Sequence, residues 1–237
     1  MPEVADIALP GVLQDVYQRL YRAHGPQHWW PGDGPFEVIV GAILTQSAAW
    51  TNVEKALASM QAAGCWSFAA IHDIPEADLA NIVRPSGYFN AKARKLKAFA
   101  AHLAENYGRD LEGLSIFLAK ETGTLREELL SIHGIGDETA DDIVVYAAEK
   151  PSFVIDSYTR RIIDRMGLAP SGKNPKYGDY QDLFHYNLPA DAALFNEYHA
   201  LLDRHAKDPC GKRGPRCSSC CLADICATGI KAMTEQG

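Results

Sequence analysis

The chain has 237 residues, of which 47% are hydrophobic and 22% charged, and its formal net charge is −7. This composition supports a folded core and excludes the highly charged, weakly hydrophobic class of disordered proteins. The longest apolar stretch, residues 36–44, is too short to span a bilayer, and residues 1–10 lack the apolar core of an export signal. We therefore expect a cytoplasmic protein without a membrane partner.

Apolar residues recur at helical spacing along most of the chain, and Gly- and Pro-containing breaks separate the periodic segments. One segment, residues 36–48, is ambiguous because its Val38-Ile39-Val40 run favours a strand by propensity. The other segments predict helices over residues 11–24, 53–60, 76–83, 91–106, 111–118, 157–166, 180–187 and 192–205. Together these elements predict an all-α fold.

The most informative local pattern consists of two helical segments joined by the run Gly134, Ile135 and Gly136. The first helix is predicted to open at Thr124, which has a Glu three residues later as in a capping box. The second is predicted from about Asp137 to Glu149. Two glycines permit a tight turn with free backbone N–H groups, which favours an anion such as a phosphate. An ordinary helical hairpin with a glycine turn is the alternative.

Four of the six cysteines follow a Cys-x6-Cys-x2-Cys-x5-Cys pattern, namely Cys210, Cys217, Cys220 and Cys226. A disulfide scaffold is disfavoured because the rest of the chain is poor in cysteine and no export signal is visible. Zinc sites usually combine two close cysteine pairs, whereas this pattern has one. Four thiolates on one short loop can hold a single inorganic centre, and a [4Fe–4S] cluster uses four cysteines at compact spacings of this kind. A zinc site is the alternative, and Cys221 lies outside the pattern.

Basic residues are concentrated in two segments, residues 84–97 and residues 204–216. Each segment alone could be a solvated helix face or a soluble loop. Their presence beside a phosphate-binding hairpin predicts a basic, DNA-facing side on a protein whose total charge is negative.

The sequence Leu-x-x-Ile-x-Gly-Ile-Gly over residues 129–136, with Asp156 placed 20 positions after Gly136, resembles the helix–hairpin–helix DNA glycosylase superfamily. The 6-2-5 cysteine spacing resembles the cluster loop of its endonuclease III-like branch. This resemblance implies that the four cysteines hold a [4Fe–4S] cluster, with Cys221 outside the ligand set. The resemblance implies a helical barrel domain over residues 28–150, which carries the hairpin and makes residues 36–48 a buried helix. It also implies an iron–sulfur cluster domain formed by residues 1–27 plus 151–237. Double-stranded DNA with a damaged base is the implied partner, and we expect a nucleoid-associated monomer.

Two acidic positions carry the chemistry that this resemblance implies. Asp156 corresponds to the carboxylate that stabilises positive charge on the deoxyribose and orients the attacking water. A helix N-cap is its alternative role, and one residue can serve both. Strand-cutting relatives have a lysine two residues after the last hairpin glycine, where this chain has Glu138. A carboxylate cannot form a Schiff base, so the resemblance implies a monofunctional hydrolase, with Glu138 either a second pocket carboxylate or a first-turn acid.

Further residues match segments that contact DNA in the family. Residues 44–47 resemble a loop whose glutamine, here Gln46, fills the space of an extruded base. A hydrogen-bonding role in the core is the alternative for this side chain. Residues 87–93 resemble a second wedge, with Tyr88 at the inserting position and Asn90 and Lys92 as DNA-binding residues. The hairpin run is expected to bind the DNA backbone.

The tryptophans are more often core residues than pocket residues, but the run Trp29-Trp30-Pro31 resembles the pocket of the 3-methyladenine-excising subgroup. We therefore assign Trp29, Trp30 and Trp50 to a base pocket, since aromatic faces attract a cationic methylated purine. The adenine-excising branch has a Glu five residues before the wedge glutamine, where this chain has Gly41.

Two other functions stay open. A bifunctional glycosylase and lyase acting on oxidised pyrimidines would need another lysine, such as Lys120 or Lys150, to reach the sugar. A non-enzymatic DNA-binding or redox-sensing protein would use the cluster and would not need Asp156.

Overall fold

The computed structural model describes residues 9–235, so residues 1–8, where no export signal was expected, and residues 236–237 lie outside the described residues. The predicted all-α class is confirmed, because residues 9–235 contain helices and turns and no strand. The α-helices are α1 Leu9–His24, α2 Pro35–Leu44, α3 Trp50–Ala62, α4 Phe68–Asp73, α5 Glu76–Ile82, α6 Phe89–Asn106, α7 Leu111–Leu118, α8 Thr122–Ser131, α9 Asp137–Asp142, α10 Ser157–Met166, α11 Tyr177–His185, α12 Ala192–Lys207 and α13 Ala227–Thr234. A π-helical turn, Ile143–Ala147, continues α9, and short 3₁₀ turns occupy Arg84–Ser86 and Cys217–Ser219. No helix in the described part of the chain is long and apolar enough to span a membrane.

The fold divides into two compact units. The central unit is Trp30–Lys150, and the terminal unit combines Met1–Trp29 with Pro151–Gly237. The central unit contains α2 to α9 and the π-helical turn, whereas the terminal unit contains α1 and α10 to α13. The predicted barrel and cluster domains, over residues 28–150 and over 1–27 plus 151–237, stay a prediction.

The ambiguous segment at residues 36–48 forms α2 in the centre of the central unit. Every residue from Val38 to Leu44 is buried, so side chains on all faces of this helix contact other helices. Pro35 lies in the first turn, where its missing N–H costs nothing. Burial on all sides therefore outweighs the strand propensity of the β-branched run. The helix ends at Leu44, four residues earlier than the sequence predicts.

Other boundaries also differ from the predictions. Helix α8 begins at Thr122 and not at Thr124, because the Glu121 side chain accepts from the backbone N–H of Gly123 at 2.9 Å. The second hairpin helix is α-helical only to Asp142 and then changes to the π-helical turn. Helices α4 and α13 were not predicted from the sequence.

The core of the terminal unit is rich in aromatic side chains. The rings of Phe153 and Phe184 stack with centroids 3.7 Å apart, and Phe195 and Tyr198 contact Phe153 edge to face. The buried Tyr198 hydroxyl donates to the Leu13 carbonyl at 2.9 Å, which joins α12 to α1. This core fixes the segment that precedes α10.

Candidate functional site

Asp156 lies at the start of α10, at the end of a buried extended segment. Phe153, Val154 and Ile155 are each at most 1% exposed. The backbone N–H of Phe153 donates to His185 Nε2 at 2.9 Å, and that of Ile155 donates to the Tyr177 hydroxyl at 3.1 Å. Buried apolar side chains and satisfied backbone donors hold this segment in place, so they also fix where Asp156 emerges.

The two oxygens of the Asp156 carboxylate have different surroundings. Oδ1 accepts from the backbone N–H groups of Tyr158 at 3.1 Å and Thr159 at 2.7 Å, which makes Asp156 the N-cap of α10. Oδ2 lies 3.9 Å from Nε2 of His199. The side chain is 16% exposed. The cap therefore uses one oxygen, and the other is available for a second role.

His199, which no sequence pattern indicated, lies beside this carboxylate on α12. Burial lowers the pKa of the His199 imidazole, although the carboxylates of Asp156 and Asp203 act in the opposite direction. The ring is therefore neutral near pH 7 and does not cancel the charge of Asp156. A lone histidine in a helical pattern resembles any core histidine, so sequence alone gave no signal for this contact.

The hairpin between α8 and α9 has one glycine that its geometry demands. Gly134 has φ 85°, and a Cβ at this position would lie 2.3 Å from Cγ of Lys95. Gly136 is in an extended conformation, and a Cβ there would project into open space. Ile135, between them, is buried at 6% exposure. Gly134 is thus required by packing, whereas Gly136 leaves the surface at the start of α9 unobstructed.

An ion-pair network braces the two hairpin helices. The Arg126 guanidinium on α8 donates to both oxygens of Asp141 at 2.8 and 3.0 Å and to Asp137 at 2.8 Å. Asp141 is fully buried, and its hydrogen bonds raise the pKa of Arg126 above the usual range. Glu138 lies in the first turn of α9 with its side chain exposed.

Gln46 is hydrogen-bonded to the hairpin. Its Nε2 donates to Thr139 Oγ1 at 2.8 Å and to the Gly134 carbonyl at 3.3 Å, while its Oε1 accepts from Lys95 Nζ. The following residue, Ser47, has a positive φ of 54°. The structure therefore shows the hydrogen-bonding role that was the alternative for Gln46, and its insertion into DNA stays a prediction.

Tyr88 and Asn90 are both exposed, as a DNA-contacting role requires. Tyr88 is 74% exposed and adopts the left-handed conformation, with φ 46° and ψ 31°. A large residue in this conformation is strained, and such strain is concentrated at functional sites.

Lys92 corrects one of the sequence predictions. Its side chain is 2% exposed, and its ammonium donates to the carbonyls of Leu44 at 2.7 Å and Ser86 at 2.6 Å. Burial lowers the pKa of Lys92 to about 8. This burial contradicts a direct DNA contact by its ammonium group. Lys92 instead joins the end of α2, just before Gln46, to the turn just before Tyr88.

The predicted pocket tryptophans belong to two different units. In the central unit, Trp30 contacts Trp50 edge to face at 5.4 Å and Tyr146 at 5.3 Å between ring centroids. A Cβ at Gly41 would lie 3.2 Å from the Trp30 ring, so the absence of a side chain there permits this packing. In the terminal unit, the Lys207 ammonium lies 5.7 Å from the centroid of the Trp29 ring. Tyr146 was not predicted, because it belongs to a run that reads as core.

The four patterned cysteines line one cavity in the terminal unit, between α10 and the C-terminal loop. None of the four forms a disulfide. The Arg165 guanidinium donates to Cys210 Sγ at 3.1 Å, and the Leu222 N–H donates to Cys220 Sγ at 3.4 Å. Cys221 is absent from this lining, and its thiol lies within 4.8 Å of ring nitrogens of His24 and His205. Four convergent sulfurs, two of which accept N–H groups from Arg165 and Leu222, fit an anionic centre held by thiolates.

Comparison with known proteins agrees with this fold. The chain is 39% identical over 215 residues to MJ1434 of Methanocaldococcus jannaschii, a DNA repair glycosylase by name, covering 91% of this chain and 96% of the relative. The 3-methyladenine DNA glycosylase MagIII of H. pylori, solved with 1,N6-ethenoadenine, is 25% identical with a TM-score of 0.70, covering 85% and 98% of the two chains. An endonuclease III–DNA covalent intermediate has the same fold, with a TM-score of 0.80 at 19% identity and coverage of 96% and 100%.

The family profile of the HhH-GPD superfamily base excision DNA repair proteins matches residues 40–180, which include the hairpin and Asp156. The match covers more than half of the chain and agrees with the relative that spans almost all of it. This protein belongs to the HhH-GPD superfamily of base excision DNA repair glycosylases.

Proposed function

We propose that this protein is a monofunctional DNA glycosylase that flips a damaged base out of duplex DNA and hydrolyses its N-glycosidic bond with Asp156. The observation that carries the proposal is the geometry of that carboxylate. Two helix N–H groups hold Oδ1, and a buried segment fixes the backbone, so Oδ2 has a defined position. A fixed negative charge stabilises the oxocarbenium-like transition state without reorganising as the bond breaks.

Hydrolysis without strand cleavage is supported by the residue two positions after Gly136. Glu138 has no amine with which to attack the sugar. Its side chain is exposed, and we assign it as a second carboxylate, besides Asp156, that faces the DNA. Lys120, one alternative lysine, is hydrogen-bonded to Glu128 and lies 5.0 Å from the Tyr107 ring centroid. Neither interaction lowers the ammonium pKa; hydrogen bonding to Glu128 raises it, which disfavours a nucleophilic amine.

An alkylated purine is the substrate class that we propose. The Trp30, Trp50 and Tyr146 rings form an aromatic cluster of the kind that attracts a cationic base, worth roughly 1–2 kcal/mol. MagIII is by name a 3-methyladenine DNA glycosylase, and 3-methyladenine is an alkylated purine, which supports the same class. A cationic base is also a good leaving group and needs little acid catalysis.

We propose further that Cys210, Cys217, Cys220 and Cys226 hold a [4Fe–4S] cluster. When bound, such a cluster supplies a one-electron redox centre and a structural cross-link. The Arg165 guanidinium would then donate to a ligand sulfur, which is one way in which proteins adjust a cluster's potential.

The cluster assignment predicts a difference between two neighbouring cysteines. Anaerobically purified protein is expected to contain about four iron and four sulfide and to absorb broadly near 400 nm. Cys217→Ser should lose most of the iron, because it removes a ligand. Cys221→Ser is the matched control and should keep it. Stoichiometric zinc without sulfide, or iron loss in the control alone, would contradict the assignment.

A panel of lesion-containing duplexes tests the proposed reaction. Single lesions should include 1,N6-ethenoadenine, an oxidised pyrimidine and a T:G mismatch, each analysed with and without alkali. We expect cleavage of the 1,N6-ethenoadenine strand only after alkali, because excision leaves an intact strand with an abasic site. Cleavage without alkali would favour the bifunctional alternative, and no excision of any lesion would favour a non-enzymatic role.

Borohydride trapping tests the role of position 138. The wild-type protein is expected to give no covalent complex with abasic DNA, since no amine stands at this position. Glu138→Lys should gain trapping if the position faces the sugar, and Glu127→Lys, on the neighbouring helix, is the control. A trapped wild-type complex would show that another lysine reaches the sugar. If a folded, DNA-binding Glu138→Lys gained no trapping, Glu138 would be removed from the proposed site.

A further inference from the structure

We propose that Lys95 is a conditional DNA-phosphate contact: it binds Gln46 in the DNA-free protein and a phosphodiester once Gln46 has left it to enter the duplex. The inference rests on the proposed base-flipping function. It concerns the central unit only, where α6, the loop after α2 and the hairpin meet.

The three hydrogen bonds of Gln46 show that its present position and insertion into DNA are alternatives. Its amide oxygen accepts from Lys95, and its amide nitrogen donates to the Gly134 carbonyl and to Thr139. A side chain that fills the space of an extruded base cannot keep these contacts with the hairpin. Insertion of Gln46 therefore removes the acceptor that Lys95 uses.

Packing keeps Lys95 at the hairpin after Gln46 leaves. The aliphatic part of Lys95 lies so close to Gly134 that a Cβ there would be 2.3 Å from its Cγ. The residue is only partly exposed. A partly buried ammonium that loses its acceptor is unfavourable until another replaces it. The DNA backbone at the hairpin would supply a phosphate oxygen, the strongest acceptor in that position.

Comparison with the other lysines of α6 shows why this behaviour is specific to Lys95. Lys92 donates to the carbonyls of Leu44 and Ser86, and Lys97 donates to the carbonyl of Ile74 at 2.8 Å. Backbone carbonyls within the fold do not move into DNA. Lys95 is bound by a side chain that the proposed reaction itself displaces.

The salt dependence of binding measures this exchange directly. Affinity for an undamaged duplex and for the same duplex with a tetrahydrofuran abasic analogue should be measured over a range of salt concentrations. One additional phosphate contact steepens the slope of log K against log salt by about 0.9. We expect the wild-type slope to be steeper on the abasic duplex than on the undamaged duplex, and we expect Lys95→Gln to lose this difference between the two duplexes. Lys97→Gln removes the same charge from the same helix and should keep the difference.

The Gln46→Ala variant gives an independent test on undamaged DNA. Removing the Gln46 amide releases Lys95 without base flipping, so the slope on the undamaged duplex should steepen by about 0.9. The Gln46→Ala/Lys95→Gln double variant should return to the wild-type slope on that duplex. An unchanged slope in Gln46→Ala, or a difference between duplexes that persists in Lys95→Gln, would overturn the exchange. Equal wild-type affinity for both duplexes would instead contradict the proposed base-flipping function.

Discussion

Replacing Asp156 with Asn is expected to slow base excision by roughly 10²–10⁴-fold, the usual contribution of a positioned acid or base. Asn retains an oxygen that can accept from the N–H groups of Tyr158 and Thr159, so the cap of α10 should survive. The substitution removes the negative charge at Oδ2, and with it the stabilisation of the oxocarbenium-like state. Single-turnover excision measures the loss, and binding to undamaged DNA should be nearly unchanged.

The chain offers a matched control for this substitution. Asp191 caps α12 in the same unit, and its Oδ1 accepts from the Leu194 N–H at 3.0 Å. Asp191→Asn makes the same chemical change at another helix start and should leave excision at the wild-type rate. Near-normal excision by Asp156→Asn would exclude the catalytic role, and an equal loss in both variants would show that the loss is not specific to the Asp156 carboxylate.

Replacing Arg126 with Met is expected to lower the free energy of unfolding by about 3 kcal/mol, because it leaves a buried carboxylate without its cation. Asp141 is 0% exposed and receives two of the three Arg126 hydrogen bonds. The Arg126 guanidinium, on α8, also binds Asp137, which lies on α9 with Asp141. The substitution therefore removes the ion pairs that join the two hairpin helices. Denaturant unfolding followed by circular dichroism measures the change.

Two further variants separate the lost ion pair from a general effect of charge removal. Arg94→Met removes an exposed arginine whose partner Glu76 is 4.0 Å away, and it should change stability by less than about 0.5 kcal/mol. The Arg126→Met/Asp141→Leu double variant should recover much of the loss, since it removes both members of the pair. If the single Arg126 variant unfolded like the wild-type protein, the brace would contribute nothing measurable.

Local sequence patterns determined the all-α class, most helix positions, the hairpin and the position of Asp156. Helices α7 and α10 match their predicted limits, and α1, α3, α5, α6, α11 and α12 differ by a few residues at their ends. These features depend on spacings of three or four residues, on turn glycines and on caps, all of which lie close together in the chain. Where the helix start was misassigned, at Thr124, a second capping side chain, Glu121, lies three residues earlier in the chain.

Only the tertiary structure decided which side chains share an environment. Lys92 reads from the sequence as one of several surface cations, but packing buries it between carbonyls 48 and 6 residues away. The contact between His199 and Asp156 joins α12 to the N-cap of α10. The Gln46 hydrogen bonds likewise reach residues about 90 positions further along the chain. Periodicity specifies the face of a helix that is buried, whereas the partner of a polar group depends on how distant helices pack.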